Sequence, residues 1–204
     1  MGLLPSALAK RLDGLRNRFV LRTAGLGARG PGCYIGPRLR LAGAARMSLG
    51  SNVHIGRDCL LSCEEKGSSI RLGDNVGVGD GVRVEAYGGT VSLQDNSALL
   101  PGCIVYGHGG VSIGRDVYVA ARSILVAANH VFDRTDMLIR EQGDRAEGIV
   151  IEDDCWLGAG VRVLDGVTIG TGSVVGAGSV VSRSIPPYSI AMGVPARVVR
   201  SRGD

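Results

Sequence analysis

The chain has 204 residues, of which 33 are glycine, only 8 are aromatic and 45% are apolar. Such a length can bury one substantial core, the composition is too apolar for a disordered chain, and glycine without a three-residue period excludes collagen. The net charge of +4 is concentrated at one end: residues 1–29 hold six basic side chains against Asp13, whereas residues 30–204 hold 17 basic and 18 acidic ones, which predicts no basic face for nucleic acid.

Within residues 1–29, Leu4, Leu8, Leu12, Leu15 and Phe19 recur at three and four residues behind Pro5, a spacing that predicts an amphipathic helix over 4–21. Two roles stay open for it. It can cover the unpaired edge of the structure that follows, or its basic flank can rest on an anionic membrane surface. No apolar run reaches the length of a membrane span, and the N-terminus lacks the pattern of a secretory leader. Cys33, Cys59, Cys63, Cys103 and Cys155 are scattered. They form no second close pair to complete a zinc site and read as buried thiols of a reducing cytoplasm.

From Ile151 onward every sixth residue is a branched aliphatic: Ile151, Leu157, Val163, Ile169, Val175 and Val181. The same period runs upstream through Leu49, Ile55 and Leu61, then Leu72, Val78 and Val84, Leu93, Leu99 and Val105, and Ile113, Val119 and Leu125. A period of six is neither helical nor simple strand alternation. It fits a chain that turns a corner every six residues with one aliphatic anchor pointing inward per face, three faces making a coil and coils stacking at strand spacing. Glycine, Asn and Asp recur where corners fall, as in Gly73-Asp74-Asn75 and Gly114-Arg115-Asp116, because tight turns need unusual backbone angles. The predicted solenoid covers residues 30–187, and residues 188–204, beyond Pro186-Pro187, are predicted to fold back as its other cap. Blocks begin 20 to 23 residues apart in the first half, one coil plus a small bulge. The step from Ile113 to Ile151 carries about twenty extra residues, which assigns Val131–Gly148 as an insertion loop.

Three histidines are candidates for chemistry. His54 precedes Ile55 in an early coil and reads as a surface residue. His108 lies in the bulge Tyr106-Gly107-His108-Gly109-Gly110. His130 stands at the hinge between a rigid hexapeptide and the insertion, a position suited to acid–base work. Asn129, Asp133 and Gln142 are the neighbouring candidates for acceptor contacts or for orienting His130.

These segments resemble a known family. Ala128-Asn129-His130-Val131-Phe132-Asp133, Ile139-Arg140-Glu141-Gln142-Gly143 and Ile151-Glu152-Asp153-Asp154-Cys155-Trp156-Leu157-Gly158, with Gly193-Val194-Pro195-Ala196-Arg197, are similar to the hexapeptide-repeat acyltransferases. Between about residues 110 and 200 the likeness is to galactoside and maltose acetyltransferases and to O-acetyltransferases of bacterial surface saccharides. The resemblance implies an all-β, left-handed parallel β-helix, a homotrimer, acetyl-CoA as co-substrate without a metal, and a site between neighbouring subunits. It implies His130 as general base, an oxyanion donor near Ala159, and Trp156 beside the histidine, the acceptor and the pantetheine arm. Ala159 and Ala177 match positions whose backbone meets the pantetheine, Ser182 and Arg183 positions further along the groove, and Arg197 and Arg200 basic positions at its nucleotide end.

The residues that read galactosides in that family are not recognisable here; Leu100 stands where the family has a polar CoA contact and His108 where it has a carboxylate. These departures leave the galactoside acceptor open, and the resemblance carried by Asn129-His130, Phe132-Asp133 and Glu141-Gln142-Gly143 implies instead a sugar hydroxyl of a surface polysaccharide or its precursor, modified in the cytoplasm. The rival readings are an N-acetyltransferase acting on an amino-sugar nucleotide, a non-catalytic solenoid scaffold, and a three-histidine zinc enzyme on the same fold. The last lacks the expected histidine pair five residues apart.

Overall fold

The computed structural model describes residues 25–204; the helix predicted over 4–21 lies outside them. The described chain is a parallel β-helix. Its strands fall into three long sheets of seven, nine and seven strands, each coil giving one strand to each sheet in turn. One coil runs through Val111–Ile113, Tyr118–Val119 and Ile124–Val126, and the next through Ile149–Ile151, Trp156–Leu157 and Arg162–Val163.

Register follows the six-residue period. In the first sheet Leu49, Leu72, Leu93, Ile113, Ile151 and Ile169 are successive cross-strand partners. In the third sheet Leu61, Val84, Val105, Leu125, Val163 and Val181 stack likewise. These anchors are buried and form one continuous core, each contributing about 1.5–3 kcal/mol by leaving water.

The corners divide the glycines by cause. The third residue after most anchors is left-handed, with Asn52, Asn75 and Asn96 at φ 57°, 57° and 60°, and Gly160 and Gly178 at 70°. The glycine directly after an anchor has ordinary φ but no room. A Cβ at Gly158 would lie 2.6 Å from the Ala177 nitrogen of the next coil. Gly73 and Gly114, expected from the sequence to need unusual backbone angles, belong to this second set, which exists so that coils can stack at strand spacing.

Four residues after an anchor, Cys or Ser points inward and donates to the carbonyl of the next coil: Cys59 to Gly79 at 3.1 Å, Cys155 to Gly170 at 3.3 Å, Ser123 to Gly158 at 3.2 Å. All five cysteines are buried thiols outside any disulfide. Burial pushes the thiols of Cys59, Cys103 and Cys155 up, which keeps them unreactive.

The coil continues past Pro187. Ser189–Gly193 pairs in parallel with Val174–Val175, and only then does Ala196–Ser201 return antiparallel as a hairpin. Arg202 pins that hairpin by donating to Asp154 at 2.7 Å and to the Gly172 carbonyl at 2.9 Å.

Excess length is confined to the edge between the third and first sheets. There, Val163 to Ile169 is a plain six-residue step, whereas Leu61 to Leu72, Val84 to Leu93 and Val105 to Ile113 all bulge, and Leu125 to Ile151 carries the whole insertion.

Candidate active site

The insertion departs after Val126 and folds on itself at its base. Asn129–His130 and Asp144–Arg145 form a short antiparallel pair in which His130 opposes Asp144. Its return is fixed by Asp165, whose carboxylate accepts the backbone N–H groups of Glu147 at 3.0 Å and Gly148 at 2.8 Å. The loop interior is held by Gln142. Its amide oxygen accepts the Arg134 N–H at 3.0 Å, and its NH₂ donates to the carbonyls of Arg134 at 2.8 Å and Met137 at 3.1 Å.

This base places His130 Nδ1 2.5 Å from Asp144 Oδ1. A proton held on Nδ1 by Asp144 would leave the Nε2 lone pair to act as a base. A cleft of about 250 Å³ opens beside it, lined by His108, Val126, Ala128, Asn129, His130 and Asp144. A larger groove of about 390 Å³ crosses the first sheet past Ser92, Ser112, Glu147 and Thr168. Its lining includes no imidazole, so size does not select the site and chemistry does. His130 and Asp144 are 72% and 63% exposed; a single chain leaves the pair open to water.

The other candidates fall into separate groups. Asp133 is exposed on the loop beyond His130. Trp156 projects outward from the second sheet at 56% exposure, between Tyr118 and Val174. Ala159 and Ala177 lie exposed on successive coils at the edge between the second and third sheets. Ser182 and Arg183 are exposed after the last strand of the third sheet, and Arg197 and Arg200 sit on the terminal hairpin. In a three-sided prism the His130 edge is opposite the second sheet. One chain therefore does not bring Trp156 into the His130 cleft.

Sequence reasoning missed Asp144. Fourteen residues separate it from His130, a distance without meaning until the loop doubles back, and its neighbour Gly143, at φ 84°, was the available sign of the reversal. His54 stacks on Tyr34 at 4.7 Å on the second sheet, away from the cleft. Among the described residues no three His, Cys, Asp or Glu side chains are grouped to hold a metal ion, and no helix is long and apolar enough to cross a membrane.

Comparison with known proteins gives the chain its relatives. Residues 148–183 match the family described as bacterial transferase hexapeptide (six repeats). A probable acetyltransferase of Mycobacterium tuberculosis is 31% identical over 150 residues, 74% of this chain, which spans only 50% of that relative. A putative lipopolysaccharide biosynthesis O-acetyl transferase of Escherichia coli is 34% identical over 140 residues, 65% of this chain and 71% of the relative. The fold matches AntD, an N-acyltransferase from Bacillus cereus in complex with dTDP and 3-hydroxybutyryl-CoA, at TM-score 0.63 and 19% identity over 90% of this chain and 87% of that one.

Proposed function

The chain belongs to the hexapeptide-repeat acetyltransferases, and on that premise we propose that it moves an acetyl group from acetyl-CoA to a saccharide hydroxyl of a surface polysaccharide or its precursor. The observation that carries this reading is the His130–Asp144 pair at the mouth of a cleft. An alcohol is almost wholly protonated near neutrality. His130 Nε2 takes its proton as the oxygen attacks the thioester carbonyl, a service worth about 10²–10⁴-fold. The tetrahedral oxyanion needs a positioned donor, for which the backbone N–H of Ala159 is the candidate. As the C–S bond breaks, the imidazolium returns the proton to the departing thiolate.

The separation of candidates onto opposite sides of the prism supports a homotrimer whose sites lie between copies. Phe132, Leu138 and Ile139 leave an apolar loop surface exposed, and Tyr118 and Trp156 leave another on the second sheet. Docking the loop of one copy on the second sheet of its neighbour would cover both and exclude water from the pair. On this reading Trp156, Ala159, Ala177, Ser182 and Arg183 receive the acyl-CoA, and Arg197 and Arg200 its phosphates. We place the enzyme in the cytoplasm, where acetyl-CoA is made, with residues 1–29 as a cap or as a contact to the inner membrane surface.

Amine acceptors are the second reading, favoured by the likeness of the fold to an N-acyltransferase. Incubation with acetyl-CoA and a panel of saccharides tests both. The expected result is CoA thiol release that depends on the saccharide and an acetyl group removable by mild base. A base-stable acetamide would establish the amine reading, and no acceptor-dependent release would contradict both.

A further inference from the structure

We infer that Arg122 selects an acceptor that carries an anionic group, a carboxylate or a phosphate, near the hydroxyl to be acetylated. This inference rests on the acetyltransferase reading and names its substrate class more closely.

The edge between the second and third sheets carries one left-handed residue per coil. Backbone bonds tie the coils together there: Gly102 donates to the Asp80 carbonyl at 2.9 Å, Arg122 to Pro101 at 3.0 Å and Gly160 to Ala121 at 2.9 Å. Gly81, Gly102, Gly160 and Gly178 hold the left-handed position at φ 68°, 73°, 70° and 70°. Arg122 stands among them at φ 59°, a conformation that favours glycine. Nearer the N-terminal end of the same column, Arg38 shares that backbone at φ 58° and donates to Asp58 of the next coil at 2.6 Å.

Arg122 instead has glycine on both sides. Its Cγ lies 3.4 Å from where a Cβ at Gly102 would stand, so its stem runs along that bare corner. Its exposed guanidinium meets no acceptor and no acid among the described residues. On the next coil Arg162 turns to the Gly160 carbonyl at 2.5 Å, which adds a positive charge and no negative one. Asp80, the nearest acid on this edge, is already paired with Arg57 at 2.9 Å. The planar fork of arginine matches carboxylate or phosphate oxygens bidentately, and this corner supplies no acid of its own.

Its place in the fold gives that charge to the acceptor. Arg122 belongs to the coil over 111–126, from which the insertion departs. In the proposed trimer the prisms lie along the three-fold axis, and rotation about that axis moves no coil up or down. Arg122 of one copy is then level with His130 of the next. Ala159 and Ala177 follow Arg122 along the edge at about 4.8 Å per coil, and the hairpin with Arg197 and Arg200 lies beyond them. An acyl-CoA with its phosphates at the hairpin and its pantetheine along Ala177 and Ala159 brings its thioester up short of Arg122.

The test uses the full-length enzyme with acetyl-CoA and fragments of the de-O-acetylated surface polysaccharide of the source cells, separated by anion exchange into neutral and acidic fractions. The expected wild-type kcat/KM is at least about ten-fold higher for the acidic fraction. Arg122→Gly keeps the left-handed corner and should bring that value down to the level of the neutral fraction through KM, with KM for acetyl-CoA held within about two-fold. Arg122→Lys should recover part of the difference. Amidation of the carboxyl groups should abolish the advantage of the acidic fraction if the anion is a carboxylate and leave it if the anion is a phosphate. Equal use of the two fractions, a preference for the neutral one, or a preference that survives Arg122→Gly would overturn the assignment. An Arg122→Gly variant whose KM rises for acetyl-CoA instead would give the arginine to the donor and overturn it as well. Transfer to neither fraction would overturn it together with the saccharide reading.

Discussion

At the residue scale, catalysis and folding place opposite demands on side chains. His130 and Asp144 are exposed and paired to each other, and in the proposed reaction their contribution lies in orientation. His130→Ala is expected to lower kcat about 10²–10⁴-fold while leaving KM for acetyl-CoA unchanged. Asp144→Asn should lower kcat in the same direction, because an amide can turn its NH₂ to Nδ1 and favour the wrong tautomer. Steady-state rates with saturating acetyl-CoA distinguish these outcomes from a binding defect. Asn75 shows the structural counterpart. It sits at φ 57°, accepts the Asn52 amide at 3.2 Å and donates to Asn96 at 3.1 Å. Asn75→Ala loses both bonds and keeps the left-handed backbone, a cost of about 1–2 kcal/mol, whereas Asn75→Gly should cost less. Denaturant unfolding of the two variants checks the order. His130 was legible in the sequence from its place at a hinge. Asp144 was not, because its meaning depends on a backbone reversal that no period announces.

At the element scale, each corner is a small self-contained turn tied to the coil above. Glu152 accepts the backbone N–H of Thr171 at 2.7 Å and its hydroxyl at 2.8 Å, and these bonds hold its carboxyl below the usual carboxylate range. A carboxylate depressed in the folded state stabilises it fully above the unfolded value, and that contribution fades as pH falls through the folded one. Melting temperatures of Glu152→Gln and wild type should therefore differ near neutrality and converge in acid below the ordinary glutamate range. A difference that persists unchanged in acid would contradict the assignment. The hexapeptides were readable because each anchor repeats one environment, and register followed from them without further information. The loop has no such repetition. Gln142 appeared in the sequence as a polar residue near His130, and only the folded loop shows its amide bonded to the Arg134 and Met137 backbone.

At the scale of the whole molecule, a solenoid adds stability coil by coil and leaves its chemistry at its edges. The prism separates His130 on one edge from Trp156 on the opposite face. It also exposes apolar residues on both. The order of coils, their three faces and the site of the insertion were evident from anchor spacing, but the path of the insertion was not, since it returns to pair Asp144 with His130 without any repeat to announce it. The central claim is that the reacting site assembles from His130 of one copy and Trp156 of the next. Its most direct test is to unfold and refold His130→Ala and Trp156→Ala together, each alone being expected to be deeply impaired. Random mixing into the proposed cyclic trimer leaves about a quarter of the sites with both residues intact, so acetyl transfer should return to about a quarter of wild type. A mixture no more active than its components would contradict a shared site.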